Sequence, residues 1–278
     1  MQLTGITDQA VGYILEHISE NPTVDQVADH CHFSKFYFSR RFKMETGESP
    51  YAFIRRARLE ESAFRLKTEP ARTVTDIGWD CGYSSSNYST VFRQLFGTRP
   101  ADFRRLALQA SFQHPFCHDD KSACLDALEK LEDGVLCRVL PPRTVVYERH
   151  IGNYHDLGLQ WPRFISAHRA LRTAGSQYLV RSFHDPAISG SERCVYDLCM
   201  TVDPDCRAER LSVLPGGPHV VYPFRGPVWR IYTVYQVLFN LWLPRAGRKL
   251  SDLGSYDLYH CMEGPAYVEM DICLPLDA

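Results

Sequence analysis

Apolar and turn-forming residues in the first part of the chain recur fifty positions further on, without a gap. The matched pairs are Val24 and Val74, Val27 and Ile77, Ala28 and Gly78, Cys31 and Cys81, Phe33 and Tyr83, Ser34 and Ser84, Phe42 and Phe92, Gly47 and Gly97, Pro50 and Pro100, and Phe53 and Phe103. A fixed offset shared by so many apolar and turn positions indicates an internal repeat. The chain therefore contains two copies of one structural unit near its amino end.

Each copy predicts two short helices joined by a tight turn. In the first copy, Thr23 followed by Gln26 is typical of a helix start. A second helix begins after Ser34 and turns Phe38 and Phe42 inward. In the second copy, Thr73 or Thr75 starts the first helix, Ser84 to Ser86 start the second, and Tyr88 and Phe92 are its buried residues. The second helix of each copy is predicted to end at a glycine, Gly47 or Gly97. This arrangement is a helix-turn-helix, present twice.

A longer helix is predicted between the copies, from Ser49-Pro50 to about Lys67. At 1.5 Å per residue it forms a rigid spacer of roughly 25 Å. Successive major grooves on one face of DNA lie about 34 Å apart. We therefore hypothesise that the DNA bends when both units engage it.

The second helix of each copy presents a candidate DNA-binding face opposite its buried anchors. In the first copy this face comprises Lys35, Phe36, Ser39, Arg40 and Lys43, and in the second copy Ser85, Ser86, Asn87, Ser89, Thr90 and Arg93. Additional candidates for phosphate contacts are Arg55, Arg56, Arg58, Arg104 and Arg105. The alternative for each of these residues is an ordinary solvated helix face. Arg40 is the strongest candidate, because a guanidinium suits both base edges and phosphates.

Residues 7–106 resemble the DNA-binding module of the AraC/XylS family of transcription regulators. The resemblance rests on VADHCHFSKFYFSRRFKMETGESP followed by VTDIGWDCGYSSSNYSTVFRQLFGTRPADFRR, and on the Phe-x4-Gly-x-x-Pro pattern in both copies. It implies that residues 1–108 form an all-α domain that binds a double-stranded DNA operator. It also implies that the base-facing positions are Phe36, Ser39 and Arg40 in the first copy, and Ser86, Asn87, Ser89 and Thr90 in the second.

The pattern changes after residue 108. Residues 109–133 form a polar linker that becomes helical, with Leu125, Leu128 and Leu131 on one side. From residue 134 onward the alternation of apolar and polar positions predicts strands.

A second repeat lies within this strand-rich part. VLPPRTVVYERHIG at 139–152 matches VLPGGPHVVYPFRG at 213–226, and an aromatic-rich helix follows each copy, over 154–168 and 229–242. Further strands are predicted at 194–203 and 267–276. The fold class is therefore α plus α/β multidomain: an all-α double helix-turn-helix domain, then an α+β domain over 134–278 with two pseudo-symmetric β-α-β-type halves. A cleft between the halves is a candidate ligand site.

Residues 134–276 resemble GyrI-like effector-binding domains, and with the amino-terminal module the chain resembles Rob-type regulators. The resemblance rests on the duplicated LP…VVY…G segments, the Trp242-Leu-Pro-x-x-Gly stretch and the closing YVEMDICLPL. It implies that Asp257, in Tyr-Asp-Leu-Tyr, takes the place of a cleft glutamate. A carboxylate ringed by aromatic side chains suits a small aromatic or cationic effector, of the kind met in a multidrug response. The candidate walls are Tyr147, Trp161, Tyr222, Trp242, Tyr256 and Tyr259.

Composition bounds these interpretations. Apolar residues make up 45% of the 278 positions and the net charge is −2, which is typical of globular domains and does not by itself indicate nucleic acid. No apolar run approaches the roughly 18 residues of a membrane span, so we expect a cytoplasmic protein without a membrane partner. Ten cysteines occur without a CxxC pair. The cluster His114, Cys117, His118 and Cys124 is better explained as a polar linker than as a metal site.

Two alternatives remain for the carboxy-terminal domain: it docks on another protein without a ligand, or it acts as a small hydrolase. No Ser/His/Asp or Cys/His set has a spacing that demands catalysis, so we predict no enzyme activity, catalytic residue, cofactor or metal. RNA polymerase is a further candidate partner.

Overall fold

The structure is a computed structural model that describes residues 1–3, 5–117, 131, 133–251, 254–263 and 267–277, with only the backbone described at 262 and 263. Leu125 and Leu128 of the predicted linker helix lie outside these ranges, as do His118 and Cys124. No helix within the described ranges is long and apolar enough to cross a membrane. The chain divides into two compact units, one of residues Leu3–Leu108 and one of Met1–Gln2 with Gln109–Ala278.

Helices dominate the amino-terminal part of the chain. They are α1 (Gly5–Glu16), α2 (Val24–His30), α3 (Lys35–Thr46), α4 (Pro50–Thr68), α5 (Val74–Asp80), α6 (Ser85–Phe96) and α7 (Pro100–Phe112), with a 3-10 turn at Ile18–Glu20. The pairs α2–α3 and α5–α6 are the two predicted helix-turn-helix units, and α4 is the predicted spacer.

The helix ends follow from local chemistry. Thr23 and Gln26 form a complete capping box at the start of α2. Thr73, rather than Thr75, caps α5 by accepting a hydrogen bond from the Asp76 amide. Gly47 ends α3 and its equivalent Gly97 ends α6 in the left-handed conformation, as predicted.

The cores of the two helix-turn-helix units repeat each other. Phe42 packs edge-on against Phe53 with ring centroids 5.4 Å apart, and Phe103 packs against Phe92 at 5.4 Å in the second copy. Phe42, Phe53 and Phe92 are fully buried and Phe103 is half-buried. Gly78 lies where α5 meets α6, and a Cβ atom there would be 2.7 Å from Cδ1 of Tyr88. The second copy therefore requires glycine at the position that Ala28 fills in the first.

The other unit is built on an eight-stranded antiparallel sheet. Its strands are β1 (Leu136–Leu140), β2 (Arg143–Gly152), β3 (Tyr178–Ser182), β4 (Cys194–Thr201), β5 (Leu211–Leu214), β6 (Gly217–Pro227), β7 (Ser255–Glu263) and β8 (Tyr267–Pro275). Their order across the sheet is β1-β6-β8-β7-β3-β4-β2-β5. The order is symmetric: if β1 is exchanged with β5, β2 with β6, β3 with β7 and β4 with β8, the same sequence of strands is obtained in the opposite direction. The two predicted pseudo-symmetric halves are therefore confirmed, and they meet where β3 pairs with β7.

Each half carries a helix after its second strand. In the first half a 3-10 turn (Tyr154–Asp156) leads into α8 (Leu157–Ala167). The short α9 (Pro186–Ser189) precedes β4. In the second half α10 (Arg230–Val237) continues as a π-helix (Leu238–Trp242) and then as α11 (Leu243–Ala246).

Candidate DNA-binding surface and effector site

Helix α3 presents the predicted recognition face to solvent. Phe38 and Phe42 are fully buried, whereas Phe36, on the opposite side, is 82% exposed. Arg40 and Lys43 are exposed as well. The helix therefore buries two aromatic anchors and leaves a mixed basic and aromatic stripe for a partner.

The basic side chains of α3 differ in whether they already form an ion pair within the unit. The Nζ atom of Lys35 lies 2.8 Å from an Asp25 carboxylate oxygen. By contrast, the side chains of Arg40 and Lys43 form no hydrogen bond or ion pair with another described residue. Ser39 is half-buried beside them. Arg40 and Lys43 are accordingly available for a partner without first breaking an internal contact.

Helix α6 offers a polar surface of low charge. Its candidate residues are all exposed: Ser85, Ser86, Asn87, Ser89, Thr90 and Arg93. Hydroxyl and amide groups of this kind suit phosphate oxygens and water-mediated contacts. The two recognition helices thus share a fold but differ in chemistry.

Two spacer arginines stabilise the unit itself. Arg56 is 6% exposed and donates hydrogen bonds to the carboxylates of Glu48 and Glu60. Arg58 donates from Nε to the Cys81 carbonyl at 3.0 Å and stacks on Tyr83. Their prediction as phosphate contacts is wrong, because Arg56 is held by two carboxylates and Arg58 by a backbone carbonyl of the same unit.

The remaining predicted phosphate contacts are partly engaged. Arg55 donates to the Gln94 side chain at 2.7 Å, and Arg104 donates to the Leu66 carbonyl at 3.3 Å. Arg105 is exposed. Arg105 is therefore the most accessible of the additional arginines.

Asp257 lies near the centre of the other unit, on the strand pair that joins the two halves. It is opposite Val180 on β3 and opposite Ile272 on β8, so these three side chains share one face of the sheet. Tyr235 of α10 donates a hydrogen bond of 2.7 Å to an Asp257 oxygen. Tyr222 pairs with Ile272 and lies on the same face, two strands from Asp257.

An aromatic group adjoins Asp257 on this face. Tyr178 and Tyr259 are cross-strand partners, and Trp161 of α8 meets both rings edge-on at 5.9 and 5.7 Å. Trp161 is 8% exposed. The hydroxyl of Tyr178 is buried without a hydrogen-bond partner among the described residues, so a polar group entering here would satisfy it.

Burial dominates the electrostatics of Asp257. The carboxyl is 6% exposed. Burial raises its pKa from 3.8 to about 7, and the hydrogen bond from Tyr235 opposes that rise. No lysine, arginine or histidine within the described ranges forms an ion pair with it. The site is thus an isolated acid in an aromatic setting, which a cation would complement.

The prediction that Tyr147 and Tyr256 line the effector site is wrong. Tyr256 packs with Leu258 in a separate core cluster on the opposite face, and Tyr147 packs against that cluster. Successive strand residues point to opposite faces, so the neighbour of Asp257 in β7 cannot share its site. Tyr147 and Tyr256 are structural residues of the far face.

Trp242 is half-buried at the end of the π-helix, seven positions beyond Tyr235. The fold also brings two residues that were not predicted from the sequence to this site: Tyr235 contacts Asp257, and Tyr178 contacts Trp161. The signal for Tyr235 was its place in the aromatic-rich helix after the second VVY strand.

Comparison with known families assigns each of the two units to a family of domains. The profile of a helix-turn-helix domain matches residues 27–106, and that of a GyrI-like small molecule binding domain matches residues 137–277. "Regulatory protein SoxS" of Escherichia coli K12 is 36% identical over 100 residues, covering 36% of this chain and 92% of SoxS. The chain is an AraC-family transcription regulator. Its carboxy-terminal unit belongs to the GyrI-like small-molecule-binding domains.

Other similar proteins cover different portions of the regulator. The "HTH-type transcriptional activator RhaS" of Escherichia coli O157:H7 is 34% identical over 96 residues, covering 34% of each chain. The solved EcmrR-DNA complex in EcmrR-RPo has 13% identity and a TM-score of 0.45, covering 92% of the regulator and 99% of that chain. The DNA-binding domain of AdpA in complex with a target DNA has 26% identity and a TM-score of 0.36, covering 40% and 100%.

The two profiles fall on the two sets of elements. The helix-turn-helix match includes α3, α4, α5 and α6, and the GyrI-like match includes Asp257 with its aromatic neighbours. The regulator therefore binds DNA through its helical unit and has a small-molecule-binding domain in its sheet unit.

Proposed function

We propose that this regulator binds a specific operator through α3 and α6, and that a small lipophilic cation bound beside Asp257 controls its output. The observation that carries the proposal is the buried carboxyl of Asp257, bonded to Tyr235 and without a basic partner in the described part of the chain. The proposed functional domains are residues 1–108 for DNA and 134–278 for the effector, joined by a linker at 109–133.

Cation binding follows from the cost of leaving this acid ionised and alone. A buried carboxylate without a counter-ion is unfavourable, and the raised pKa of Asp257 expresses that cost. A positively charged ligand supplies the counter-ion, while the rings of Trp161, Tyr178 and Tyr259 supply apolar and cation–π contact. An aromatic cation therefore gains more here than a neutral molecule of equal size.

Further partners follow from the family. SoxS is named a regulatory protein and RhaS a transcriptional activator. We propose RNA polymerase as a partner of this regulator, a role in the response to lipophilic compounds, a location in the cytoplasm and no catalytic activity.

Titration calorimetry with tetraphenylphosphonium tests the effector site, with triphenylphosphine oxide as the neutral control ligand. We expect the wild type to bind the cation and Asp257→Asn to bind it about 10- to 100-fold more weakly, because a charged interaction of roughly 1.5–3 kcal/mol is lost. Tyr256→Phe is the matched control, since Tyr256 lies in the same strand but faces away. It should bind as the wild type does.

Two outcomes would count against the site. Equal affinity of the wild type and Asp257→Asn for the cation would show that the carboxylate is not the ligand contact. An absence of heat from lipophilic cations in general would favour the alternative in which this domain docks on a protein.

A further inference from the structure

The last turn of α7 and the residues that follow it pack on α10. Residues of α7 up to Leu108 belong to the helical unit, and those from Gln109 onward belong to the sheet unit. We call residues 109–117 the α7 extension. Through this segment the chain runs without a break from the DNA-binding helices into the effector domain, so its contacts within the sheet unit bear on how the two communicate.

Tyr232 of α10 holds the α7 extension. Its hydroxyl donates a hydrogen bond of 2.9 Å to the Ser111 carbonyl, and its ring stacks on His114 with ring centroids 5.0 Å apart. Ser111 and Tyr232 are both buried, so water does not compete for this hydrogen bond. The next residue, Thr233, has its Oγ1 atom 3.7 Å from Sγ of Cys117. Two consecutive residues of α10 therefore contact the α7 extension at separate points.

Phe116 adds a contact with the other half of the sheet unit. It meets Tyr232 edge-on with ring centroids 5.9 Å apart and packs on His155 at 4.2 Å. His155 belongs to the 3-10 turn that leads into α8. The α7 extension therefore packs against helical elements of both halves.

The same helix α10 covers Asp257. Tyr235 lies three positions after Tyr232 and donates its hydroxyl to the Asp257 carboxylate at 2.7 Å. Only 6% of Asp257 is exposed, so a cation the size of tetraphenylphosphonium cannot reach the carboxylate while Tyr235 stays in place. Residues three apart are neighbours on a helix surface. A displacement of α10 that removes Tyr235 from Asp257 therefore moves Tyr232 as well.

The local structure of α10 permits such a displacement. The helix is short, Arg230–Val237, and spans little more than two turns. A π-helix follows it directly over Leu238–Trp242. Segments of this kind interrupt the regular hydrogen-bond pattern of a helix and are frequent at functional sites. Helix α10 can accordingly shift as one short element.

We infer that α10 transmits occupancy of the site beside Asp257 to the end of α7: a cation that displaces Tyr235 moves α10, and the α7 extension loses its contacts with Tyr232 and Thr233. This inference rests on the proposed function of the effector site. Helix α7 begins within residues 27–106, which match the helix-turn-helix profile. The released segment is thus the direct continuation of the DNA-binding unit.

The thiol of Cys117 reports on this contact. Its alkylation by iodoacetamide in the full-length protein is followed by mass spectrometry of the peptide that contains it, with and without tetraphenylphosphonium. We expect the cation to raise the rate about 2- to 10-fold, the factor by which one hydrogen bond displaces an equilibrium. Cys137 is the internal control, because it is exposed on β1 and should react at the same rate in both samples.

Tyr232→Phe tests the hydrogen bond, because it removes the hydroxyl and keeps the ring that stacks on His114. Loss of a contact that favours the unoccupied state should make the variant bind the cation about 2- to 10-fold more tightly than the wild type. A merely structural role of Tyr232 would not raise the affinity. Tyr196→Phe is the matched control, since Tyr196 is a buried residue of the same unit whose hydroxyl donates to the Asn153 carbonyl at 3.3 Å. It should bind the cation as the wild type does.

Operator affinity measures whether the displacement reaches the DNA-binding unit. An operator is first selected from random DNA with the full-length protein, and its affinity is measured with and without the cation. We expect the cation to change the affinity of the wild type by a factor that Tyr232→Phe reduces about 2- to 10-fold and that Tyr196→Phe preserves.

Distinct results defeat the inference and the function on which it rests. If the cation binds the wild type but leaves Cys117 alkylation unchanged, or if Tyr232→Phe binds it no more tightly, the inference is wrong and the effector site stands. An effect on operator affinity that is equal in the wild type and Tyr232→Phe would also overturn it. An absence of cation binding to the wild type would instead remove the proposed effector function, and the inference with it. Circular dichroism checks that the variants are folded, and the alkylation of the wild type needs no variant.

Discussion

The buried acid at the proposed effector site should make a large contribution to the pH dependence of stability of its domain. In the folded protein the pKa of Asp257 is about 7, against 3.8 in an unfolded chain. Between these values the folded state holds a proton that the unfolded state has lost. The contribution of Asp257 to the free energy of unfolding therefore falls as pH rises through this window, by roughly 2–3 kcal/mol from pH 5 to pH 8. His150 of the same unit contributes with the opposite sign, because burial lowers its pKa to about 4, and comparison with a variant at position 257 separates the two.

Asp257→Asn removes this dependence, because an amide does not ionise and its oxygen can still accept the Tyr235 hydrogen bond. The variant should be more stable than the wild type at pH 8, and the difference should shrink toward pH 5. Urea unfolding followed by tryptophan fluorescence reports on the right domain, since Trp161, Trp229 and Trp242 lie in it and Trp79 does not. Parallel pH profiles of the two proteins would refute the buried, uncompensated state of Asp257.

Two further predictions concern the helical unit. Gly78→Ala should destabilise it by roughly 1–3 kcal/mol in thermal unfolding, because the new methyl group would overlap the Tyr88 ring. Gly175→Ala is the control and should be neutral, because its methyl group meets open space. Equal effects of the two substitutions would show that α5 and α6 pack less closely than the structure indicates. Thr23→Ala should lower the free energy of unfolding by about 1 kcal/mol through loss of the capping box with Gln26, and an unchanged urea midpoint would contradict that role.

The helical unit was predictable in detail because its signals are local and occur twice. Thr23, Ser34 and Gly47 mark helix ends through contacts a few residues away, and the same residue types recur at the equivalent positions of the second copy. The sequence alone does not distinguish Thr73 from Thr75 as the cap of α5, because both residues can cap a helix and only the backbone conformation selects Thr73.

The effector site was less predictable, because it depends on which face of a sheet each side chain occupies. Alternation along β7 alone separates Tyr256 from Asp257, so that error was avoidable from the sequence. Tyr235 could not be placed in the same way. Its contact with Asp257 joins a helix to a strand 22 positions later, and only the packing of α10 on the sheet brings them together.

The strand order has a consequence for how the sheet unit folds. β1 comes from the first half but pairs with β6 of the second, and β5 comes from the second half but pairs with β2 of the first. The edge strand beside each half of the sheet therefore comes from the other half, so neither half forms a complete sheet by itself. We expect the unit to fold late and all at once, after residues 211–275 have been synthesised, because its long-range pairings close large loops.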